Sequence, residues 1–437
     1  MSDARGPSAP KALPGWWQRE KQRQQARILI FLTLLLTLIA FYYWVERAGI
    51  VSTPGINFDT ADHLAFVRQD ARGDTTLFAV RSDGTDLQPL TPKDDISHKE
   101  EPEWTMDGKR LVYSSNLKDP KLTQIYLLGA GQPTQLTYGG TVFAGGTKSA
   151  PTVSPDGDHI AFVAQGAVKS VRLNGTDVYQ LMPPPRAGSE SGGEVSPTLQ
   201  GLEFTGPFLY SRFSSDGKGT AGVQDISNDP LAVAPGGAFG DEVVSVLPEN
   251  SLRAWPLDSG HEVSLAWEPG GGRLACSFTE HEVQKSVVSG IRIWPFDANG
   301  KPQAPTPVFA GVGYSIEPKN ISWSPPKGAR IAFEAWRLKS KGVREPRGIA
   351  VVSIDGKGMM VDAAHAEGMR YLVPASPSGT PQKPRWSPDG NKLSFEMVRP
   401  DGKRDIWVIN SDGTNSINLT HGEGDNMDAV WSPISSH

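Results

Sequence analysis

The unit that decides the fold is Arg-Trp-Ser-Pro-Asp-Gly-Asn-Lys-Leu-Ser-Phe at 385–395. Trp386 is an apolar anchor at the end of one strand, and Leu393 and Phe395 belong to the next. Between them, Pro388 presets φ at about −65° and Gly390 accepts a positive φ, so these residues favour a tight turn. The unit therefore predicts two antiparallel strands joined by a short loop.

Variants of this unit recur through the chain. They occupy 102–113, 151–162, 266–275, 322–333, 385–395 and, truncated, 430–433. A second apolar strand follows each complete copy, and an Asp-Gly or Asn-Gly turn, such as Ser-Asp-Gly-Thr at 411–414, often comes next. Repeats with a period of about 40–60 residues and no long helical pattern indicate an all-β fold of radially arranged sheets.

Seven hairpins can be counted along the chain, which predicts a seven-bladed β-propeller. They are centred near 64/78, 112/126, 161/169, 209/222, 275/292, 332/350 and 394/407. The repeat is weak over 186–262, where Val243–Leu247 and Leu252–Trp255 form a possible extra hairpin, so six or eight blades remain open. The last copy ends near Trp431 without a partner strand. We therefore expect Leu64–Val67 to close the ring by pairing into that last blade, because an open propeller leaves two unpaired edges.

These motifs resemble the repeats of TolB-like β-propellers. The resemblance rests on Trp-Ser-Pro-Asp-Gly at 386–390, Ile-Trp-Val-Ile-Asn-Ser-Asp-Gly-Thr at 406–414 and Asn-Leu-Thr at 418–420, and it covers roughly residues 57–437. It implies a periplasmic protein-binding role in the bacterial cell envelope. The chain departs from that family by lacking its additional α/β domain, which leaves open any role in outer-membrane import.

The first residues predict a membrane anchor. Residues 28–45 are apolar and uncharged, and residues 1–27 hold six basic side chains against two acidic ones. A span needs about 20 apolar residues, and basic residues stay on the cytoplasmic side. We predict a cytoplasmic tail (1–27), a transmembrane helix (28–45), a linker (46–56) and an extracytoplasmic propeller (57–437). A cleaved signal peptide is the alternative, although no small-residue cleavage site is evident.

Sequence patterns for catalysis and cofactors are weak. The best approximation to a serine-hydrolase elbow is Gly-Ser-Glu-Ser-Gly at 188–192, which places Glu at the nucleophile position. The eight histidines are scattered, and the turn at 297–300 lacks the rest of a calcium loop. The mildly acidic net charge of −5 also argues against nucleic acid as a partner. We predict a non-enzyme without metal or cofactor.

Candidate binding residues lie in the segments that lead into the Trp strands, which we predict to be loops at one mouth of the channel. They are Asp94, Asp95, His98, Glu101, Lys319, Arg385, Asp425 and Asp428. Mixed acids, bases and amides around one opening suit recognition of a peptide or polar ligand. The alternative is that they only cap strand ends, and the recurring Trp residues are predicted to be core between blades. The expected function is a protein-binding scaffold, and the alternative is a carbohydrate- or peptide-binding protein or hydrolase that uses this mouth.

Overall fold

The computed structural model describes residues 33, 37, 55–92, 95–138, 147–182, 207–227, 242–249, 251, 254–260, 262–281, 287–312, 316–325, 329–338, 343–354, 359–361 and 369–433. The part of the chain described here is built from β-strands, apart from two helical residues near the N-terminus. The strands are β1 (His63–Gln69), β2 (Thr75–Arg81), β3 (Gln88–Pro89), β4 (Lys99–Trp104), β5 (Leu111–Ser115), β6 (Gln124–Leu128), β7 (Thr134–Gln135), β8 (Lys148–Val153), β9 (His159–Ala164), β10 (Ala167–Arg172), β11 (Tyr179–Met182), β12 (Phe208–Phe213), β13 (Gly219–Asp225), β14 (Glu242–Pro248), β15 (Trp255–Gly260), β16 (Leu265–Trp267), β17 (Arg273–His281), β18 (Val287–Pro295), β19 (Thr306–Val312), β20 (Ile316–Trp323), β21 (Arg330–Leu338), β22 (Arg344–Ser353), β23 (Met359–Val361), β24 (Met369–Pro374), β25 (Thr380–Trp386), β26 (Lys392–Val398), β27 (Arg404–Asn410), β28 (Ile417–Asn418) and β29 (Asp425–Trp431).

These strands form seven sheets, which are the blades of a propeller. From the innermost strand outward, blades 1 to 7 are β29-β1-β2-β3, β4-β5-β6-β7, β8-β9-β10-β11, β12-β13-β14-β15, β16-β17-β18-β19, β20-β21-β22-β24 and β25-β26-β27-β28. Strand β23 adds to the outer edge of blade 5 in parallel. Each innermost strand contacts those of the two adjacent blades, and β25 contacts β29, so the ring is complete. The prediction of an all-β, seven-bladed propeller is confirmed.

The first strand closes the ring as predicted. Leu64 lies opposite Trp431 and Ala65 opposite Val430 in the antiparallel pair of β1 and β29. Blade 1 therefore takes its innermost strand from the C-terminal end of the domain and its other three from the beginning. This arrangement removes the two free sheet edges that an open ring would expose.

The weak stretch of the repeat forms one blade, not two. Phe208–Phe213 pairs with Gly219–Asp225 as the inner hairpin of blade 4. The possible extra hairpin supplies the outer half of the same sheet, where Val246 lies opposite Trp255. The anchor of this blade is Phe213, which is followed by Ser-Ser-Asp-Gly instead of Ser-Pro-Asp-Gly.

Turn chemistry explains why the repeated unit folds locally. In blade 7, Ser387 donates its hydroxyl to Asp389 Oδ1 at 2.6 Å, and the same carboxyl oxygen accepts the backbone N–H of Asn391 at 3.0 Å. Gly390 has a φ of 71° and donates its N–H to the Ser387 carbonyl at 2.8 Å. The side chain of Asp389 therefore organises the turn, and glycine supplies its left-handed corner.

Tryptophan indoles link adjacent blades. Four of them donate Nε1–H to a backbone carbonyl on the innermost strand of the preceding blade. The accepting residue is in each case the one directly before the anchor of that preceding blade. The pairs are Trp104 with Val430 (3.3 Å), Trp267 with Arg212 (3.1 Å), Trp386 with Ser322 (3.1 Å) and Trp431 with Arg385 (3.1 Å). Trp104, Trp323 and Trp386 are buried, whereas Trp267 and Trp431 are half-buried. The anchors are thus interblade core, as predicted, with an added hydrogen bond.

Little of the N-terminal region is described. Thr33 and Thr37 are helical, and the remainder of residues 1–54 lies outside the described residues. The predicted tail (1–27) and most of the predicted span (28–45) and linker (46–56) therefore stay sequence predictions. Within the described residues, no helix combines the length and apolar character needed to cross a bilayer.

Candidate functional site

The innermost strands of the blades surround a central channel. It encloses a cavity of about 830 Å³, and all seven innermost strands contribute to its wall. The wall mixes apolar groups with charged groups of both signs. Charged lining residues are Glu101, Glu103, Arg212, Glu242, Glu262, Lys319, Lys383, Arg385, Glu396 and Asp428.

A β-bulge shapes five of the innermost strands. Three residues before each anchor, a non-glycine residue adopts a left-handed conformation, and it and the next residue lie opposite one aromatic residue of the second strand. The bulged residues are Glu101 (φ 53°), Ala150 (50°), Asn320 (47°), Lys383 (48°) and Asp428 (55°). Such conformations are strained and persist where surrounding contacts hold them. The bulges therefore interrupt the regular backbone pairing of the innermost strands at the channel wall.

Glutamate carboxylates hold several of these bulges in place. Glu396 Oε1 accepts the backbone N–H of Asp428 at 2.7 Å, and Glu334 Oε1 accepts that of Lys383 at 2.6 Å. Glu101 Oε2 likewise accepts the N–H of Ala150. In each pair, the carboxylate belongs to one blade and the bulged N–H belongs to the blade that follows it in the sequence. The hydrogen bond therefore fixes the acidic side chain against the backbone of the following blade. The site is thereby organised before any ligand arrives.

Blades 7 and 1 meet in a compact charged cluster of Lys383, Glu396 and Asp428. Lys383 Nζ lies 2.8 Å from Asp428 Oδ1 and 3.4 Å from Glu396 Oε1. Burial alone would lower the pKa of Lys383, but the two carboxylates raise it above its usual value. Burial raises the pKa of Glu396, helped by the negative charge of Asp428 and opposed by Lys383. Glu396 Oε2 accepts no hydrogen bond in the described part of the chain.

Glu101 is a second channel carboxyl with a raised pKa. Burial is the main cause, and Asp428 adds repulsion, whereas hydrogen bonds from Ala150 and Ser114 oppose the shift. Glu101 and Glu396, which both interact with Asp428, therefore retain their protons to a higher pH than usual.

Blades 5 and 6 carry the neighbouring polar groups. Lys319 pairs with Glu262, and its Nζ lies 5.1 Å from the centre of the Trp336 ring. Glu334 accepts hydrogen bonds from Asn320 Nδ2 at 2.7 Å and from Trp336 Nε1 at 3.0 Å. Together with the cluster of Lys383, these contacts form an almost continuous polar band along one part of the channel wall.

The predicted binding residues divide into two groups. Glu101, Lys319, Arg385 and Asp428 line the channel. Asp425 is adjacent to it on β29, where Arg404 binds both of its carboxyl oxygens at 2.9 and 2.7 Å. This pairing leaves Asp425 a structural role at the channel end.

None of the described residues in the segment before β4 is among those that line the channel. Asp95 forms an ion pair with buried Lys99 at 3.1 Å, and Lys99 also donates to the backbone carbonyl of Thr75. Burial would raise the pKa of Asp95, but hydrogen bonds from Ser97 and the charge of Lys99 lower it. His98 is exposed and lies 3.3 Å from Glu100. The predicted Asp94 lies outside the described residues.

The prediction of entry loops was wrong in one respect. The innermost strands extend through the bulges, so five of the predicted residues belong to β4, β20, β25 and β29 themselves: Glu101, Lys319, Arg385, Asp425 and Asp428. Sequence reasoning also missed Glu103, Arg212 and Glu396, and it did not select Lys383, although that residue lies in the same segment as Arg385. Glu103 and Arg212 directly precede their anchors, as Arg385 does, so alignment on the anchor position would have found them.

Comparison with known proteins gives fold-level likeness. No family model matches the sequence, and no curated protein matches it. Similar solved structures include a putative TolB from Agrobacterium tumefaciens, 16% identical over 66% of this chain and 84% of that one (TM-score 0.41). TolB from Acinetobacter baumannii is 15% identical over 87% and 88% (0.39), and an oligogalacturonate lyase in complex with manganese is 16% identical over 82% and 85% (0.49).

At these identities the likeness concerns the fold alone. The strand pairing and the channel define a seven-bladed β-propeller, consistent with the TolB-like repeats in the sequence.

Proposed function

We propose that this chain is a membrane-anchored, extracytoplasmic propeller that binds an envelope protein through its charged central channel. One observation carries the proposal: fixed acidic and basic side chains from several blades surround a cavity of about 830 Å³. A preorganised wall with charges of both signs selects a partner by electrostatic complementarity. Its volume and polarity suit a short extended peptide segment of that partner.

The sequence supports the location. The basic residues before the apolar segment favour a cytoplasmic N-terminus, which places the propeller on the other side of the membrane.

Affinity capture from membranes tests the proposal. The tagged full-length chain is lightly crosslinked in native membranes and isolated, and the bound proteins are quantified. Leu209→Arg introduces a bulky charge at a channel-lining position that is 40% exposed. Leu87→Arg is the matched control, since Leu87 is 39% exposed and lies beyond β2 in the outer part of blade 1.

We expect one stoichiometric envelope protein with the wild type and with Leu87→Arg, and its loss with Leu209→Arg. Equal capture by both variants would contradict binding through the channel.

A second candidate function, hydrolysis of an envelope glycan or peptide, is favoured by one feature. Glu101 and Glu396 are channel carboxyls with raised pKa beside Asp428. General acid catalysis needs a carboxyl that stays protonated near the working pH. Turnover of peptidoglycan fragments by the full-length chain, abolished by Asp428→Asn or Glu396→Gln, is the result that separates this candidate from a binding scaffold.

A further inference from the structure

Two arginines occupy equivalent positions on opposite parts of the ring. Arg212 directly precedes the anchor Phe213 in blade 4, and Arg385 directly precedes Trp386 in blade 7. Both line the central channel. The repeat thus presents the same cationic group into the same cavity from two separate blades.

Neither guanidinium forms a salt bridge with the residues that the structure describes. Arg212 donates to the backbone carbonyl of Ser211 at 2.9 Å and lies 5.6 Å from the centre of the Tyr210 ring. Across the described chain, the side chain of Arg385 makes no hydrogen bond, and the residue is exposed. Other arginines near the channel differ: Arg404, for example, is held by both oxygens of Asp425.

The surroundings of Arg385 disfavour its charge. Enclosure by the channel wall lowers the pKa of its guanidinium, and the positive charge of Arg212 lowers it further. Glu103 attracts it, but Glu103 Oε1 already accepts hydrogen bonds from Thr152 and Val153, both at 3.1 Å. An anion placed between the two arginines relieves this repulsion without breaking an existing ion pair.

We propose that Arg212 and Arg385 form a carboxylate-binding site in the central channel, which takes an acidic peptide segment of the partner. The inference rests on the proposed function and names the chemistry that the channel recognises. A guanidinium presents a planar fork of N–H donors that matches a carboxylate. Either an acidic side chain or a free chain terminus supplies that group.

The acidic neighbours favour a carboxylate over a doubly charged anion. Glu103, Glu396 and Asp428 all act on Arg385 through their charge. Their repulsion grows with the charge of the ligand, so it penalises a phosphate dianion more than a single carboxylate.

Chemical protection of Arg385 tests the site. The full-length chain is treated with an arginine-selective dicarbonyl reagent, and modification at each arginine is followed by peptide mass spectrometry. Three peptides are compared as protectants: N-acetyl-Gly-Gly-Glu-Gly-Gly-amide, its Gln counterpart, and N-acetyl-pentaglycine with a free terminus. Inorganic phosphate is the fourth.

We expect Arg385 to react faster than the ion-paired Arg404, and the Glu peptide to slow that reaction where the Gln peptide does not. Protection by the free-terminus peptide would show that a chain terminus serves as well as a side chain. Arg212→Gln should raise the half-protecting concentration by about tenfold or more, as expected for loss of charge-assisted hydrogen bonds. Arg172→Gln removes an outer-strand charge that pairs with Asp177 and should leave the value unchanged.

Equal protection by the Glu and Gln peptides would overturn the carboxylate site, and stronger protection by phosphate would overturn the preference for a peptide. The two proposals fail separately. If partner capture persists in Arg385→Gln and no peptide protects, binding through the channel stands without this site. If the Glu peptide protects but no partner is captured, the site stands and the scaffold function is wrong.

Discussion

Leu64 and Trp431 lie directly opposite each other in adjacent antiparallel strands, although one is near the beginning of the propeller and the other near its end. The pair joins the C-terminal strand β29 to the three N-terminal strands of blade 1. The contact between β25 and β29 then completes the ring. Every channel residue depends on this closure, because it sets the position of blade 1 against blades 2 and 7.

A disulfide across the closure should form and stabilise the domain. Ala65 and Val430 are opposed Cα partners, and such pairs lie about 4.5–5.5 Å apart, within disulfide range. In Ala65→Cys/Val430→Cys we expect an intramolecular bond that raises unfolding stability by roughly 3–5 kcal/mol, because it closes a very long loop. Thermal unfolding with and without reductant measures the gain.

Ala65→Cys alone controls for the substitution itself. The native Cys276 is buried, so it should not compete for the bond. Formation of disulfide-linked dimers instead of an internal bond would indicate that the two strands are not paired within one molecule.

The indole hydrogen bonds should contribute unequally to stability. Trp386→Phe removes a part-buried bond to the Ser322 carbonyl and some packing, for an expected loss of about 1–3 kcal/mol. Trp431→Phe removes the equivalent bond to Arg385 at an exposed position, where water can replace it, so the loss should be about 1 kcal/mol or less. Urea unfolding of both variants provides the comparison, and a larger loss for Trp431→Phe would be the contrary result.

Removing Lys383 should destabilise the protein more at neutral than at acidic pH. Without this ammonium, ionised Glu396 and Asp428 repel each other at the channel wall. The pKa of Glu396 is already raised by burial and would rise further, so its ionisation would cost stability above about pH 4.3, the unfolded value. For Lys383→Met we expect a loss of about 1–3 kcal/mol at pH 7.5, discounted because the lysine side chain is 36% exposed.

The loss should shrink as Glu396 becomes protonated, which unfolding curves at pH 7.5 and pH 4 can measure. Glu396→Gln in the same background should recover part of the stability at pH 7.5, since the amide oxygen can still accept the Asp428 N–H. A loss independent of pH, with no recovery, would mean that Lys383 acts by packing alone.

The turn aspartates should make the propeller sensitive to acid. Burial would raise the pKa of Asp389, but hydrogen bonds from Ser387 and Asn391 outweigh it and lower the value. The pKa of Asp156 is lowered in the same way, with Ser154 and Asp158 as donors. A lowered folded pKa gives stability that is present above the unfolded value of about 3.9 and is lost as pH falls through the folded value.

We therefore expect the melting temperature to fall on acidification below about pH 4. Asp389→Asn preserves the shape of the turn residue without its titration, so the stability difference from wild type should diminish towards pH 2. A difference that stays constant from pH 7 to pH 2 would show that the charge of Asp389 is not involved.

Local chemistry made much of the fold predictable. The Ser-Pro-Asp-Gly turn specifies a hairpin through its own side chains, and Trp386 marks the strand end with it. The closure was predictable as well, because the copy of the repeat at Trp431 is truncated and the strand at Leu64 has no Trp unit before it. Blade 4 was harder, since Phe213 replaces Trp and Ser215 replaces Pro, which weakens both signals.

The channel wall was only partly predictable, for a geometric reason. A bulge adds one residue to a strand and thereby changes which side chains face the channel. Strand alternation alone does not reveal the left-handed backbone conformation of Lys383. That conformation is stabilised by a hydrogen bond from the Lys383 N–H to Glu334, which lies on a strand of another blade. Asp95 was misplaced because its partner Lys99 is turned towards Thr75 of the neighbouring blade, a contact between segments that no local pattern encodes.

Site-specific photo-crosslinking in native membranes tests binding through the channel most directly. A photoreactive phenylalanine analogue replaces Leu209, which lines the channel, or Tyr179 on outer strand β11. The native side chains are 40% and 48% exposed. The account predicts a crosslinked envelope protein from position 209 and none from position 179. Crosslinking from position 179 alone would contradict it.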